Sequence, residues 1–211
     1  MKIINKILIP SLAVTSIAAA TSCACGFNQD NPNPLSRDYL DIRENILYGF
    51  KEEYKFKDSI KEGHYKLTIP KDVNELDATA FAYAQAADGD SQLLIEKIDY
   101  EQDCLCTNLG SSSFLGCANL ETVIFPPKLT SFGPVIFSGC DKLTTLDISN
   151  IQQDVTISDW YAPARPGWSI TGKIIYDGSK PHQVRLALTL LDLINFEPVT
   201  GDKNQWTLEA K

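Results

Sequence analysis

The cysteine residues are the side chains with the most evident potential for chemistry. They lie at Cys23, Cys25, Cys104, Cys106, Cys117 and Cys140. Thiols can carry a lipid, form disulfides or bind metal, and their spacing helps to separate these roles. Cys104 and Cys106 do not have the C-x₂₋₄-C spacing of zinc sites. We predict no metal site here, although a disulfide between one of these thiols and a neighbour stays open in an exported domain.

Other groups that catalyse reactions are sparse. The chain has two histidines, His64 and His182, and contains neither a G-x-S-x-G motif nor a P-loop motif. The segment Asp88-Gly-Asp90-Ser91 resembles the start of a calcium loop but lacks the later carboxylate. We therefore predict no catalytic residues and no cofactor, with these groups on the surface or in turns.

One segment combines the side chains that most often anchor protein interfaces. It runs from Ser158 to Trp168 and contains Trp160, Tyr161, Arg165 and Trp168. Long loops within compact domains are often functional, and Trp, Tyr and Arg dominate interface energetics. These four residues are the candidate partner-binding site. The alternative is that the two tryptophans pack beneath the loop and seal the neighbouring turn.

The first 22 residues have the form of an export signal. Lys2 and Lys6 precede an uncharged apolar stretch from Ile7 to Ala20, and small residues then lead to Cys23. The end Ala20-Thr21-Ser22-Cys23 resembles a bacterial lipobox, so we predict a lipoprotein signal at 1–22 and a lipid of the palmitate kind on Cys23. Lipidation of Cys25, cleavage of an ordinary secreted protein, or a retained membrane helix are the alternatives.

The segment from Cys23 to Ser36 is rich in Asn and Pro and carries little apolar surface. It is predicted to be a flexible tether. The formal net charge of the chain is −8, and cleavage before Cys23 would remove two lysines and no acid. An acidic body is repelled by an anionic membrane, so the lipid must do the anchoring. No Lys/Arg run is present, which argues against a nucleic-acid partner.

A repeat organises the middle of the chain. The sequence pattern F-x-G-C-x-x-L-x-x-[VL]-x-[FI] begins at Phe114 and again at Phe137, with equivalent residues 23 positions apart. An L-x-x-L-x-L pattern predicts a short strand, and Pro at the exit ends it. One such turn cannot bury its apolar face alone, so successive turns stack. Leu120 and Leu143 should therefore lie on adjacent turns, with Cys117 and Cys140 stacked as buried thiols.

Two looser copies extend the repeat in both directions. Upstream, Ile69 to Phe81 matches Phe125 to Phe137, and Ile95-x-x-Ile98-x-Tyr100 matches Leu120-x-x-Val123-x-Phe125. Downstream, Thr171-x-x-Ile174-x-Tyr176 retains the strand pattern after an insertion. The repeats are predicted to fill 67–178.

The repeated sequence resembles the leucine-rich repeats of the BspA and Treponema pallidum type. The resemblance implies an α/β fold, a short solenoid of parallel strands. It also implies the role of most family members, which are bacterial surface proteins implicated in adhesion and in binding host or microbial components.

Helical caps are predicted at both ends of the solenoid. A helix over about 37–53, within an N-terminal cap of 37–66, is predicted by the helical spacing of Tyr39, Ile42, Ile46, Leu47, Phe50 and Tyr54. The C-terminal cap spans 179–211. Its helix follows Pro181, with Val184, Ala187, Leu188, Leu191 and Ile194 as the apolar stripe. A second apolar side, with Leu186, Leu190 and Leu193, is either covered by Gln205 to Leu208 or offered to a partner.

The leading hypothesis is a lipid-anchored binding module on the outer face of the bacterial cell membrane. It would recognise a host, matrix or other surface protein in adhesion. The alternatives are an assembly subunit of a surface complex and, less favoured, an exported enzyme.

Overall fold

Two sheets form the two sides of a solenoid, and their described strands pair in parallel except at one antiparallel hairpin in sheet B. The computed structural model describes residues 33–51, 65–82, 95–132, 135–157, 171–195 and 205–211. Sheet A contains, in spatial order, β1 (Asn33–Pro34), β4 (Tyr65–Ile69), β6 (Ile95–Tyr100), β8 (Thr122–Ile124), β10 (Thr145–Asp147), β12 (Thr171–Tyr176) and β13 (Gln205–Ala210). Sheet B contains β11 (Thr156–Ile157), β9 (Ser131–Phe132), β7 (Asn108–Leu109), β5 (Glu75–Leu76), β3 (Ile46–Phe50) and β2 (Leu40–Arg43).

The register of sheet A follows the sequence repeat. Val123 pairs with Leu146, and Leu146 pairs with Ile174. On the other side Val123 pairs with Ile98, which pairs with Leu67. All five side chains are completely buried. The parallel-strand repeat solenoid is therefore confirmed, including the looser upstream and downstream copies.

Leu120 and Leu143 test the stacking prediction directly. Both are completely buried, and each lies three residues before one member of the Val123–Leu146 pair. Homologous residues of successive repeats thus occupy neighbouring turns, as the sequence predicted.

The backbone conformation explains why the F-x-G-C motif contains glycine. Gly116 and Gly139 have φ angles of 76° and 77°, a conformation that costs a residue with a Cβ about 1–2 kcal/mol. The two glycines also stack: a Cβ on Gly139 would lie 3.1 Å from the Cα of Gly116. Glycine at this position lets the chain turn and lets neighbouring turns approach.

Phenylalanine rings run through the core from turn to turn. The ring centroids of Phe81 and Phe114 are 5.6 Å apart, and those of Phe114 and Phe137 are 5.9 Å apart, both in stacked geometry. Phe50 extends the row with an edge contact to Phe81 at 5.2 Å. Phe81 thus takes the place that its alignment with Phe137 predicted.

The predicted N-terminal helix is wrong, because β2 and β3 form an antiparallel hairpin instead. Glu44 and Asn45 join them with φ angles of 50° and 66°, the left-handed pair that tight hairpin turns require. Gly49 has a φ of 113°, and a Cβ there would lie 1.9 Å from the carbonyl oxygen of Ala80. The hairpin adds β3 to the edge of β5, so strands rather than a helix cover this end of sheet B. Residues 52–64 lie outside the described part.

The end of the predicted tether belongs to the fold. Asn33 and Pro34 pair with Tyr65 and Lys66 of β4, and Leu35 is buried. Ser36 caps a short 3-10 turn at Arg37–Tyr39. Pro34 lacks a backbone N–H, which suits the outermost strand of a sheet.

The described part of the C-terminal cap contains one helix, α1 (Pro181–Asn195), between the parallel strands β12 and β13. Its buried side chains are Gln183, Leu186, Ala187, Leu190 and Ile194. Leu188, predicted to face the core, is 49% exposed, because the helix turns its second apolar side inward. Trp206 of β13 is buried beside the helix, which confirms that the 205–208 segment folds back.

Candidate interaction surfaces

The outer side of sheet A is the broadest regular surface that the described strands form. Its side chains alternate with the buried column, as in any pleated sheet with one face on a core. We call it the A face. One row contains Lys66, Lys97, Thr122, Thr145, Lys173 and Thr207; the second contains Thr68, Asp99, Ile124, Asp147, Ile175 and Glu209. These side chains are half-buried or exposed. The A face therefore presents mixed polar, charged and aliphatic groups from six strands.

Ion pairs fix several charged groups of this surface. Lys66 Nζ lies 2.6 Å from Asp99 Oδ2, and Lys173 Nζ lies 3.0 Å from Glu209 Oε2. The first pair is half-buried, which reduces screening by water. Each pair joins neighbouring strands of sheet A, β4 with β6 and β12 with β13.

A third ion pair anchors the last residue. Lys211 Nζ donates to Asp147 Oδ2 at 2.9 Å and to Ser149 Oγ at 2.8 Å. Burial alone would raise the pKa of the Asp147 carboxyl, but hydrogen bonds from Ser149 and Lys211 outweigh burial and hold this pKa below its ordinary value. Asp147 is therefore charged at neutral pH and ties the Lys211 side chain to β10.

The four described cysteines, Cys104, Cys106, Cys117 and Cys140, are free and buried. Cys117 Sγ donates to the carbonyl oxygen of Phe81 at 3.4 Å, and Cys140 Sγ donates to that of Phe114 at 3.3 Å. Each thiol thus satisfies a backbone carbonyl of the preceding turn. The prediction that Cys117 and Cys140 are stacked core thiols is confirmed.

The environment of these thiols makes them poor nucleophiles. Burial raises the pKa of Cys104. Burial, and then the neighbouring thiols Cys104 and Cys117, raise the pKa values of Cys106 and Cys140 respectively. Since the thiolate is the reactive and metal-binding form, these side chains serve packing. In the described residues no group of three or more His, Cys, Asp or Glu side chains could hold a metal ion.

His182 is a structural residue of the cap. Its Nε2 lies 2.9 Å from the carbonyl oxygen of Ile151. The adjacent Gln183 is completely buried and donates to the carbonyls of Ser149 and Ile151, while its Oε1 accepts from the N–H of Asp177. These bonds close the backbone of the last repeat. His64 and Asp88–Ser91 lie outside the described residues.

The sequence-predicted site residues also fall outside the described part. Cys23 lies in the first 32 residues, and Trp160, Tyr161, Arg165 and Trp168 lie in 158–170. The latter segment joins β11 of sheet B to β12 of sheet A. These residues therefore stay predictions. The sequence predicts that the strand face and the inserted loops are presented to a partner, and the outward positions of each L-x-x-L-x-L strand indicate the residues of the A face.

Comparison with protein families agrees with this architecture. Residues 90–160 match the model described as BspA type leucine rich repeat region (6 copies). The chain carries a BspA-type leucine-rich repeat region. The register of sheet A extends the same stacking beyond the matched residues, to β4 on one side and β12 on the other. A BspA-type repeat of this kind is an interaction module.

No curated protein and no solved structure matches the chain. In the described residues no helix is long and apolar enough to cross a bilayer.

Proposed function

We propose that this protein is a lipid-anchored binding module on the bacterial cell surface that adheres to a host or matrix protein. The observation that carries the proposal is the A face of a BspA-type solenoid: a stiff, outward-facing surface built by successive repeats. Half-buried threonine and isoleucine side chains between fixed ion pairs offer a partner both apolar contact and hydrogen bonds. The mechanism is recognition, and we expect no catalysis.

Anchoring is tested by membrane fractionation of cells that express the full-length chain. Cys23→Ala should move the protein from the detergent phase to the aqueous phase, since two or more acyl chains are needed for stable attachment. Cys25→Ala is the matched control and should leave the protein in the detergent phase. Retention of the Cys23 variant in that phase would contradict lipidation at Cys23, and release of the Cys25 variant alone would move the lipid there.

Adhesion is tested with cells that display the chain on immobilised fibronectin, laminin and collagen. Thr145→Arg places a long cation in the centre of the A face and should reduce binding at least tenfold. Thr189→Arg, on the exposed side of α1, is the matched control and should leave binding unchanged. Equal binding by the two variants would remove the A face from the proposal. Trp160→Ala with Trp168→Ala tests the loop in the same assay.

The runner-up is an assembly subunit of a surface complex. It is favoured if cells do not adhere but the chain crosslinks to another protein of the same surface, and if Thr145→Arg abolishes that crosslink.

A further inference from the structure

A small cavity lies at the corner where the strands of sheet A turn towards sheet B. Its volume is about 280 Å³. Three successive turns line it: Gln102 and Asp103 after β6, Pro127 after β8, and Asn150 and Gln152 after β10. The backbone N–H of Gln152 donates to the carbonyl of Pro127 at 3.0 Å, so two of the walls are bonded to each other. The stacking of the repeats creates this cavity.

Four of the polar residues that line the cavity have exposed side chains that make no hydrogen bond in the described part of the chain. They are Gln102, Asp103, Asn150 and Gln152. The neighbouring Gln153 contrasts with them, because its amide donates to the carbonyls of Lys128 and Leu129. Glu101 also lines the cavity, and one of its oxygens accepts from the N–H of Lys71 at 2.9 Å. Donors and acceptors that the fold does not use therefore line one concave site.

The chemistry of the lining selects a cation. Glu101 and Asp103 supply negative charge, three amides supply carbonyl oxygens, and none of the described lining residues is basic. Ile124 and Pro127 form an aliphatic floor. A lysine or arginine side chain has the matching form, with an apolar stem and a charged head that donates hydrogen bonds. The net charge of −8 also draws basic partners by long-range attraction.

Size and burial argue against the other ligand classes. Pockets for drug-sized molecules measure about 300–1,000 Å³, so this cavity lies just below that range and has room for one long side chain. A sugar ring would need an exposed aromatic face to stack on. Phe125 is only 1% exposed, and Tyr100 is partly buried against the core.

We propose that this corner cavity binds a lysine or arginine side chain of a protein partner. The proposal rests on the proposed function as a protein-binding module and adds the chemistry of the partner. Arginine fits best, because its guanidinium can meet the Asp103 carboxylate and the amide carbonyls together.

The test is a titration of the isotope-labelled full-length chain with acetyl-Gly-Arg-Gly-amide, followed by NMR. We expect saturable shifts of the backbone amides of 101–103 and 150–152, and no saturable shift with acetyl-Gly-Gln-Gly-amide. Asp103→Asn should weaken binding of the arginine peptide about tenfold, the equivalent of about 1.4 kcal/mol. Asp192→Asn, which removes an exposed carboxylate on α1, is the matched control and should not weaken it.

Equal shifts with the two peptides, or equal affinity of the Asp103→Asn variant and the unaltered chain, would overturn the proposal. Saturable shifts at the same amides with a neutral oligosaccharide, and none with arginine, would overturn it in favour of a glycan site. Either result leaves the adhesion assay on the A face unaffected, so the two proposals fail separately.

Discussion

Single residues of the repeat motif have separable physical roles. Phe114 and Phe137 continue the ring stack, Gly116 and Gly139 turn the chain, and each cysteine that follows bonds the carbonyl of the preceding turn. A consensus that looks uniformly structural in sequence is thus a set of distinct backbone and packing requirements. Each can be tested by one substitution.

Gly139→Ala should destabilise the protein by about 1–2 kcal/mol. The new Cβ would force a left-handed φ on a residue that disfavours it and would press on the Cα of Gly116 at 3.1 Å. Urea unfolding followed by far-UV circular dichroism measures the change. Gly178→Ala is the control, because its Cβ would meet Ala210 at an ordinary 3.6 Å. Equal stability of the two variants would contradict the backbone argument.

Gln183 is predicted to be one of the most sensitive polar positions. Gln183→Met keeps the size of the side chain but leaves the Ser149 carbonyl and the N–H of Asp177 without their partner, while the Ile151 carbonyl keeps its contact with His182 Nε2. Each buried unsatisfied group costs about 1–3 kcal/mol, so the loss should be at least about 2 kcal/mol in thermal or urea unfolding. Arg185→Ala breaks only an exposed ion pair with Asp154, which should cost less than about 1 kcal/mol. A loss for Gln183→Met no larger than that of Arg185→Ala would contradict this role.

At the scale of elements, β13 closes sheet A by packing Trp206 over a glycine. Gly172 pairs with Trp206, and a Cβ on Gly172 would lie 2.5 Å from the indole ring. The ring is buried under α1, so it has little room to move. Strand β13 is therefore held by one tight contact as well as by its hydrogen bonds to β12.

Gly172→Ala should detach β13 locally rather than unfold the solenoid. The displaced indole exposes apolar surface at one end, while the inner strands keep both neighbours. Hydrogen exchange should show faster exchange at 205–210, with protection at 122–124 and 145–147 retained. Gly178→Ala again serves as the control. Uniform loss of protection along sheet A would show that β13 is part of one cooperative unit.

Elements differ in how far the sequence could predict them. The central strands were predictable because F-x-G-C and the strand triplet recur at one interval. The register between neighbouring strands follows directly from that repeat length. The N-terminal hairpin was not predictable, because Ile42, Ile46 and Phe50 are four residues apart, a spacing that fits a helix as well as one face of a strand. The edge of β5 decides between them by offering hydrogen-bond partners to β3. The Glu44-Asn45 turn and Gly49, a poor residue for a helix interior, were the available signals.

The two candidate binding sites also differ in how far the sequence could predict them. Aromatic and charged anchors at 158–168 are local in sequence and were singled out from it, whereas the corner cavity combines side chains from three separate turns. Asp103 and Gln152 have no local motif in common. Only the stacking of turns brings them to one cavity, so composition and spacing could not indicate it.

The whole molecule should behave as a chain of nearest-neighbour contacts. Strands of a sheet lie about 4.8 Å apart, so a side chain in β10 reaches β8 and β12 but not β4. Truncations in adjacent strands should therefore couple, and truncations in distant strands should add. We predict a coupling energy of about 0.5 kcal/mol or more between Val123→Ala and Leu146→Val, which are register partners. Leu67→Val with Leu146→Val, separated by β6 and β8, should give additive losses within about 0.5 kcal/mol.

The measurement is urea unfolding of the three single and two double variants, and the distant pair is the internal control. Small truncations keep the double variants folded, since each substitution removes only one or two carbon atoms. Coupling in the distant pair as large as in the adjacent pair would mean that stress spreads through the whole body, as in a globular core. Coupling confined to the adjacent pair would mean that each turn is stabilised by its immediate neighbours. A loop inserted between two turns would then leave the more distant turns unchanged.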